Sequence, residues 1–148
     1  MRFVIQRVTK ASVSVDGSVV SQIGKGFLAL AGVFAEDTKA DAEKMVKKLC
    51  GLQLFADENG KTNLSLADVG GELLMVSQFT LCADCKHGNR PSFSGAGAAA
   101  FAEEMFNYIC GLAEQCVHSV KRGVFGADMK VELLNDGPFT IVLDSKEL

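Results

Sequence analysis

The stretch of sequence that decides the fold lies at residues 27–34 and reads FLALAGVF. Almost every position in it is apolar, and polar residues do not alternate with hydrophobic ones. Such a run is typical of a strand buried on both faces, because neither face then tolerates polar side chains. We therefore expect 27–34 to form an interior strand of a sheet that is covered on both sides.

The residues before this run predict further strands. Residues 3–8 are largely apolar and β-prone, and residues 11–15 alternate small or apolar residues with serine, which is strand periodicity. Asp16-Gly17 is a hairpin turn signal, and residues 19–23 resume the strand pattern. The first part of the chain is thus predicted to be a hairpin that leads into 27–34.

A helix is predicted directly after the run, ending at Gly51, since glycine is common at helix C-termini. Thr38 can cap its N-terminus, and Asp41 follows at the spacing of a capping box. Lysines lie on its outer side, and its apolar residues recur at helical spacing. These apolar residues are Ala42, Met45, Val46 and Leu49.

The rest of the chain predicts a second helix at 98–116 and several more strands. The strands are expected at 52–55, 72–80, 129–134 and 139–143, with a long loop at 82–97. The total is about seven or eight strands and two helices. This count predicts one α/β domain over residues 1–148, with a mixed sheet and both helices on one face.

Composition excludes several classes of protein. The 148 residues are 48% hydrophobic, with 15 glycines and only 2 prolines, which argues against disordered, collagen-like and low-complexity chains. The formal charge of −3 argues against binding a polyanion over the whole surface, but it allows a local basic patch.

The cysteine count and the lengths of the apolar runs indicate the cellular compartment of the protein. An odd number of cysteines and a start that does not resemble a signal peptide favour reduced thiols and a cytoplasmic protein. No apolar run approaches the ~18–20 residues that cross a bilayer.

Two segments could carry chemistry. Ser77-Gln78-Phe79-Thr80 ends an apolar strand, where polar groups can meet a ligand while the sheet holds them; the alternative is a strand that simply becomes exposed. Asn135-Asp136-Gly137-Pro138-Phe139-Thr140 is either an ordinary turn or a backbone presented to a ligand, since Gly137 has no side chain to block approach.

A third segment, Cys82-Ala83-Asp84-Cys85-Lys86-His87, contains a CxxC pattern. A structural zinc site needs four ligands and no second pair is present, while a redox CxxC is expected at a helix start and not in a loop. The sequence also lacks GxGxxG, P-loop, HExxH and GxSxG motifs, and its two histidines argue against a Ser-His-Asp triad. No metal and no cofactor are expected.

Together, residues 77–81 and 135–140 resemble the two signature motifs of the D-aminoacyl-tRNA deacylase family. Three further segments are also similar, so that the resemblance covers essentially the whole chain in order. They are Ile5-Gln6-Arg7-Val8, Gly88 with Arg90-Pro91-Ser92-Phe93, and Phe125-Gly126-Ala127-Asp128-Met129. Either signature motif alone would be moderately specific, whereas both at this separation are strongly so.

The resemblance implies a barrel-like mixed sheet, a homodimer with its active sites at the interface, and hydrolysis of the ester between a D-amino acid and the 3′-terminal adenosine of tRNA. It also implies that Gly137-Pro138 is cis and reaches into the other subunit's site. Catalysis is then assigned to Ser77, Gln78, Phe79 and Thr80, and chiral selection to Gly137, Pro138 and Phe139. Lys86 and Arg90, which follow the first motif, are the candidate tRNA-binding residues.

The chemistry predicted for this site does not use a protein nucleophile. Thr80 has a hydroxyl but no partner base in its motif, so we expect it to position the substrate with the local backbone. Backbone N–H groups near Phe79 and Thr80 could stabilise the oxyanion, and the terminal 2′-OH of the tRNA could help to activate water.

Chiral selection is predicted to act by exclusion. An L side chain would collide with the wall formed by Gly137 and Pro138, whereas a D side chain would point away from it. Glycine has no Cβ, so glycyl-tRNA, including glycine mischarged on tRNA-Ala, is predicted to be hydrolysed as well.

Two other functions remain open from the sequence. One is a non-catalytic dimeric module that binds nucleotide or RNA ends through the same cleft. The other is a thiol-based redox or metal protein that uses Cys82 and Cys85.

Overall fold

A computed structural model describes all residues from 1 to 148. It contains eight strands and two α-helices, with short 3-10 helices at Phe79–Cys82 and Ser145–Glu147. The strands and helices, in chain order, are β1 (Arg2–Val15), β2 (Ser18–Ile23), β3 (Gly26–Gly32), α1 (Lys39–Gly51), β4 (Phe55–Ala56), β5 (Thr62–Leu64), β6 (Glu72–Ser77), α2 (Ala99–Ala113), β7 (Val120–Arg122) and β8 (Lys130–Asp144).

Six strands form one mixed sheet in the order β2-β1-β3-β6-β7, with β8 lying along β1. The pairs β3–β6 and β6–β7 are parallel and the pairs that β1 makes are antiparallel. Because β1 is long, its first half pairs with β3 and its second half with β2, while β8 follows both halves. The sheet therefore curls around β1 into a nearly closed, barrel-like form.

The two faces of this sheet carry separate apolar clusters. Against the helices, Phe3 and Phe27 of the sheet pack with Met45 of α1 and Ile109 of α2. The opposite face closes on itself around seven buried residues, namely Val8, Ala11, Val13, Ile23, Leu28, Leu74 and Val76. The register of β1 against β8 shifts on both sides of Val8, so that β1 contributes first to one cluster and then to the other. The predicted mixed, barrel-like sheet with two helices on one face is confirmed.

The first helix begins as its sequence predicts. The Asp41 N–H donates to the Thr38 hydroxyl and the Thr38 N–H donates to the Asp41 carboxylate, which completes the capping box. The helix ends at Gly51, and β3 is buried on both faces apart from Leu30.

Several predicted boundaries are wrong. The strands expected at 3–8 and 11–15 are one strand, β1, the strand expected at 27–34 ends at Gly32, and the strand expected at 52–55 is only Phe55–Ala56. The strand expected at 72–80 ends at Ser77, because the Leu81 N–H donates to the Gln78 carbonyl and turns the chain into the 3-10 helix. The strands expected at 129–134 and 139–143 are one strand, β8, which bulges between them. The second helix begins at Ala99 and ends at Ala113, three residues before Cys116.

The expectation of reduced thiols is wrong for two of the five cysteines. Cys50, near the end of α1, and Cys116, after α2, are joined by a disulfide because the two helix ends lie close together, with the Cα atoms 6.5 Å apart. Cys82, Cys85 and Cys110 are free. None of the helices has the length and apolar character needed to span a membrane.

Candidate active site

A cavity of about 520 Å³ opens where β3 and β6 end, between the sheet and α2. Its volume falls within the range of pockets that hold small ligands, about 300–1,000 Å³. Eleven of its sixteen lining residues are hydrophobic, so that the few polar groups stand out as candidates for orienting a ligand. The polar side chains among them are Ser77, Gln78 and Asp128.

The sheet fixes three of the predicted catalytic residues at this cavity. Ser77 is the last residue of β6 and pairs with Ala31 of β3, and the Gln78 N–H donates to the Ala31 carbonyl at 2.8 Å. Phe79 follows at the start of the 3-10 helix. Ser77, Gln78 and Phe79 all line the cavity, and Ser77 and Gln78 lie where polar groups are expected at a strand end.

Thr80 lies beside the cavity and not in its wall, on the exposed side of the 3-10 helix. Its hydroxyl accepts a hydrogen bond from the Gln78 side-chain amide, Nε2 to Oγ1, at 2.5 Å. No histidine, carboxylate or lysine hydrogen-bonds to this hydroxyl. Thr80 therefore has a partner that orients it but none that could take its proton.

The 3-10 helix is anchored by residues that the sequence analysis did not identify. Arg2 donates from Nη1 to the Leu81 carbonyl at 2.8 Å and pairs through Nη2 with Asp144 at 3.0 Å. Gly32 allows the helix to approach β3, since a Cβ on it would lie 2.8 Å from the Leu81 Cβ and 3.1 Å from the Gln78 carbonyl oxygen. An isolated arginine near a chain start gives no sequence signal for such a role.

The far wall of the cavity is formed by residues 125–129, which the sequence analysis noted for their resemblance alone. The Phe125 ring packs against Phe106 of α2 with the ring centroids 6.3 Å apart. α2 also contributes Ala99 and Ala102, whose small side chains leave the space open.

The second predicted motif lies elsewhere on the same chain. Gly137 and Pro138 are exposed in the bulge of β8, joined by a cis peptide bond, and neither lines the cavity. Three strand spacings separate β8 from β6, roughly 14 Å across the sheet. The bulge is level with Arg7, whereas Ser77 is level with Phe3, a further offset of roughly 13 Å along the strands. One chain thus does not bring its two motifs together.

Arg7 supports the bulge from the side that faces the body of the protein. Its guanidinium donates from Nε to the Asp136 carbonyl at 3.0 Å and from Nη1 to the Leu54 carbonyl at 2.5 Å. The same group lies over the Phe139 ring, 4.8 Å from the centroid. These contacts hold the loop from beneath and leave Gly137 and Pro138 free to face outward.

Asn135 closes the base of the same bulge. Its amide donates to the Thr140 hydroxyl at 2.9 Å, and its carbonyl oxygen accepts from the Phe139 N–H at 2.6 Å. Gly137 has a φ of +143°, a conformation that favours glycine. The bulge is therefore a defined projection with an exposed tip.

Lys86 and Arg90 lie on an exposed loop clipped at its base by paired backbone hydrogen bonds between Asp84 and Ser92, 2.7 and 2.9 Å long. Neither cation forms a salt bridge. The loop is thus a local site of positive charge on an acidic chain.

The CxxC cysteines do not act together in this loop. Cys82 is buried and its thiol donates to the Val33 carbonyl at 3.5 Å, while Cys85 is exposed. Burial raises the pKa of the Cys82 thiol, which disfavours the reactive thiolate.

Comparison with known proteins yields one consistent family. A family model described as D-Tyr-tRNA(Tyr) deacylase matches residues 4–144. Similar proteins named D-aminoacyl-tRNA deacylase occur in Anaeromyxobacter dehalogenans, 49% identical over 100% of this chain and 99% of the relative, and in Clostridium acetobutylicum, 50% identical with the same coverage. A third, from Desulfitobacterium hafniense, is 52% identical and covers 99% of both chains.

Two solved structures share the fold. One is named c-Myc DNA Unwinding Element Binding Protein; it has a TM-score of 0.93 and 42% identity, covering 97% of this chain and 98% of its own. The other is described as a structural analysis of a probable eukaryotic D-amino acid tRNA deacylase, with a TM-score of 0.85, 15% identity, and coverage of 96% and 97%.

Proposed function

The chain belongs to the D-Tyr-tRNA(Tyr) deacylase family and is a D-aminoacyl-tRNA deacylase, a hydrolase, and we propose that it proofreads chirality with a site shared by two copies of the chain. The protein would act in the cytoplasm as a single domain over residues 1–148, on the ester that joins the amino acid to the 3′-terminal adenosine.

The separation of the two motifs carries this proposal. The cavity with Ser77, Gln78 and Phe79 lies on one part of the surface, and the exposed tip at Gly137-Pro138 lies on another. A twofold dimer repeats every contact, so that a tip inserted into a partner's cavity entrance creates two equivalent sites. Exposed apolar side chains along β8, among them Leu134 and Val142, supply surface for such a contact.

The reaction follows from the groups at the cavity. Water adds to the ester carbonyl carbon, the resulting oxyanion collapses, and the bond to the ribose 3′-oxygen breaks, which releases the free D-amino acid and tRNA. The N–H groups of Phe79 and Thr80, as the first two of the 3-10 helix, have no partner within it. Donors of this kind contribute about 10²–10³ in rate each when they face an oxyanion.

Thr80 acts as a positioning group in this scheme. Its only side-chain partner is the Gln78 amide, which cannot accept a proton from it as a base would. The substrate's own 2′-OH then relays the proton: its oxygen accepts a proton from the attacking water while its own hydrogen passes to the departing 3′-oxygen, which leaves as a hydroxyl.

Selection between D and L substrates is assigned to the tip with Phe139. The substrate's α-amino group binds the tip's carbonyl oxygens, which leaves an L side chain directed at the Gly137-Pro138 wall. Glycine carries no side chain to exclude, so glycyl-tRNA, including that mischarged on tRNA-Ala, is a substrate.

Subunit mixing tests the shared site. Ser77→Tyr fills the cavity and Pro138→Trp enlarges the tip, so each variant alone is expected to be inactive on D-aminoacyl-tRNA. After random reassociation, half of the dimers pair an open cavity with a native tip at one of their two sites, which restores about a quarter of the activity. Circular dichroism first establishes that each variant is folded. No recovery on mixing folded variants would contradict the shared site.

A further inference from the structure

Two phenylalanine side chains form an exposed pair at the cavity entrance. Phe79 is 57% exposed and Phe93 is 37% exposed, and their rings meet edge to face with centroids 5.1 Å apart. Phe79 also lines the cavity, so the pair extends the cavity wall onto the surface. Aromatic side chains are normally withdrawn from water, and an exposed pair in this place indicates a surface that receives a flat ligand.

The positive loop lies next to this pair along the chain. It carries Lys86, His87 and Arg90, all exposed, and Phe93 follows the Asp84–Ser92 clip that closes the loop. The one acidic side chain in the loop, Asp84, accepts the Lys86 backbone N–H at 2.9 Å. Stacking rings beside unpaired cations are the combination that binds single-stranded nucleic acid, because they meet its bases and its phosphates separately.

We propose that the Phe79–Phe93 pair and this loop bind the unpaired nucleotide that precedes the terminal adenosine of the substrate. Its base stacks on the Phe93 ring, and its phosphate faces Arg90 and Lys86. This subsite rests on the proposed function, because the adenosine must occupy the neighbouring cavity. Exposed rings beside unpaired cations favour an occupant that carries both a base and a phosphate, and a nucleotide supplies both.

Two small esters test the subsite directly. The D-alanyl ester of adenosine lacks the preceding nucleotide, and that of cytidylyl-(3′→5′)-adenosine contains it. Stacking of one base contributes about 1–3 kcal/mol, so the wild type should favour the dinucleotide ester by about 5- to 150-fold in kcat/KM. Phe93→Leu keeps the apolar bulk but removes the ring, and should lower that preference to what the phosphate contacts alone supply while leaving the adenosine ester unaffected. Phe93→Tyr should retain the preference.

Matched measurements distinguish base stacking on Phe93 from a role of this residue in the fold or in the dimer. Val20→Ala, which truncates another exposed apolar residue away from the cavity, should keep the preference. If Phe93→Leu lowers kcat/KM equally on both esters, Phe93 belongs to the fold and the proposal is overturned. If the variant sediments as a monomer where the wild type sediments as a dimer, Phe93 belongs to the dimer interface and the proposal is likewise overturned. A wild type that hydrolyses both esters equally would also overturn it, with the deacylase function intact. If the wild type does not hydrolyse D-aminoacyl-tRNA at all, the function on which the subsite rests is refuted instead.

Discussion

The hydroxyl of Thr80 shows how far a residue's chemistry depends on its neighbours. Threonine is a weak nucleophile at neutral pH unless a base accepts its proton. Here the hydroxyl accepts one hydrogen bond from Gln78 and has no basic partner. This environment is suited to holding a substrate in place and not to forming an acyl-enzyme.

Replacing Thr80 by valine tests this role. Thr80→Val keeps the shape and removes the hydroxyl, so we expect kcat/KM on D-aminoacyl-tRNA to fall about tenfold, the kinetic equivalent of removing one hydrogen bond. Mass spectrometry of quenched wild-type reactions should detect no acyl-enzyme. Complete loss of activity in the variant, together with a trapped acyl-enzyme in the wild type, would establish Thr80 as the nucleophile.

Lys86 and Arg90 are expected to contribute through charge alone. Lys86→Glu or Arg90→Glu should weaken binding of D-aminoacyl-tRNA and flatten the dependence of log K on log salt by about 0.7 for each single-strand phosphate that the loop no longer neutralises. Lys47→Glu, an equal charge change on the outer side of α1, is the matched control and should leave the slope near that of the wild type. If the salt dependence of binding is the same in all three variants, the loop does not contact the tRNA.

At the scale of the element, the 3-10 helix sets the geometry of the site. Its position depends on the Arg2 hydrogen bond to Leu81 and on close packing against β3 at Gly32. Small displacements of groups that act on a bound substrate are costly, about 10²-fold for a shift of 1 Å. We therefore expect the position of this helix to link the packing of the sheet to the rate of the reaction.

Adding a methyl group at Gly32 tests whether the position of the 3-10 helix controls the reaction rate. Gly32→Ala places a Cβ within 2.8 Å of the Leu81 Cβ and moves the 3-10 helix outward. We expect a loss of about 1–3 kcal/mol in the free energy of unfolding, and a fall of about tenfold or more in kcat/KM for the folded enzyme.

Gly111 offers the matched substitution. It lies in α2, and a Cβ there would meet nothing within 4 Å, so Gly111→Ala should stabilise the protein by about 0.5–1 kcal/mol with unchanged activity. Thermal denaturation and initial rates of both variants provide the comparison. Full activity in Gly32→Ala would show that the helix position does not control the chemistry.

The sequence predicts elements more accurately where their signals are local. The capping box at Thr38 and the apolar run at 27–34 depend on adjacent residues, and they predict the observed helix start and a buried strand, although β3 ends at Gly32. The turn at Gln78 and the continuity of β8 depend on contacts with β3 and β1, which are distant in the sequence. Local sequence patterns carry no information about contacts between distant segments. The contribution of α2 to the cavity wall was not predicted for the same reason.

The candidate site was predicted unevenly. From its own residues the first motif is either a strand end that meets a ligand or a strand that becomes exposed, and three of its residues line the cavity. The sequence does not predict the role of Arg7, because its three contacts join segments far apart along the chain. The disulfide between Cys50 and Cys116 was missed because helix ends meet only in the folded chain.

At the scale of the whole molecule, Glu72 couples the sheet to the segment after α2. Its carboxylate accepts from the Gly24 N–H and from the Ser119 hydroxyl, each at 2.9 Å, and these hydrogen bonds lower the pKa of Glu72 below its ordinary value of 4.5. A lowered pKa in the folded state contributes stability above the unfolded pKa, and this contribution is lost as the pH falls through the folded value.

Urea unfolding across pH tests that coupling. Wild type should have a nearly constant contribution from Glu72 above about pH 5 and should lose it below the ordinary pKa of 4.5. Glu72→Gln should be less stable than wild type at neutral pH, and the difference should shrink as the pH falls below that value. A difference that stays constant down to about pH 3 would mean that the carboxylate charge is not what stabilises the folded state here.

In the proposed dimer, the tip at Gly137-Pro138 of one copy would exclude L substrates from the cavity of the other. Exclusion and recognition of a D side chain make opposite predictions for glycine. A site that recognises the side chain loses transition-state binding when the side chain is absent. A site that only excludes loses nothing, because glycine has no Cβ to collide with the wall.

The most direct test measures kcat/KM on tRNA-Ala charged with glycine, D-alanine and L-alanine, so that the RNA is the same in all three substrates. If the wall acts by exclusion, glycine and D-alanine should be released at rates within about tenfold of each other. L-alanine should be released more slowly by a factor well above the ~10–200-fold that pocket fit to one methylene supplies. Glycyl-tRNA that is spared as fully as L-alanyl-tRNA would contradict exclusion as the basis of chiral selection.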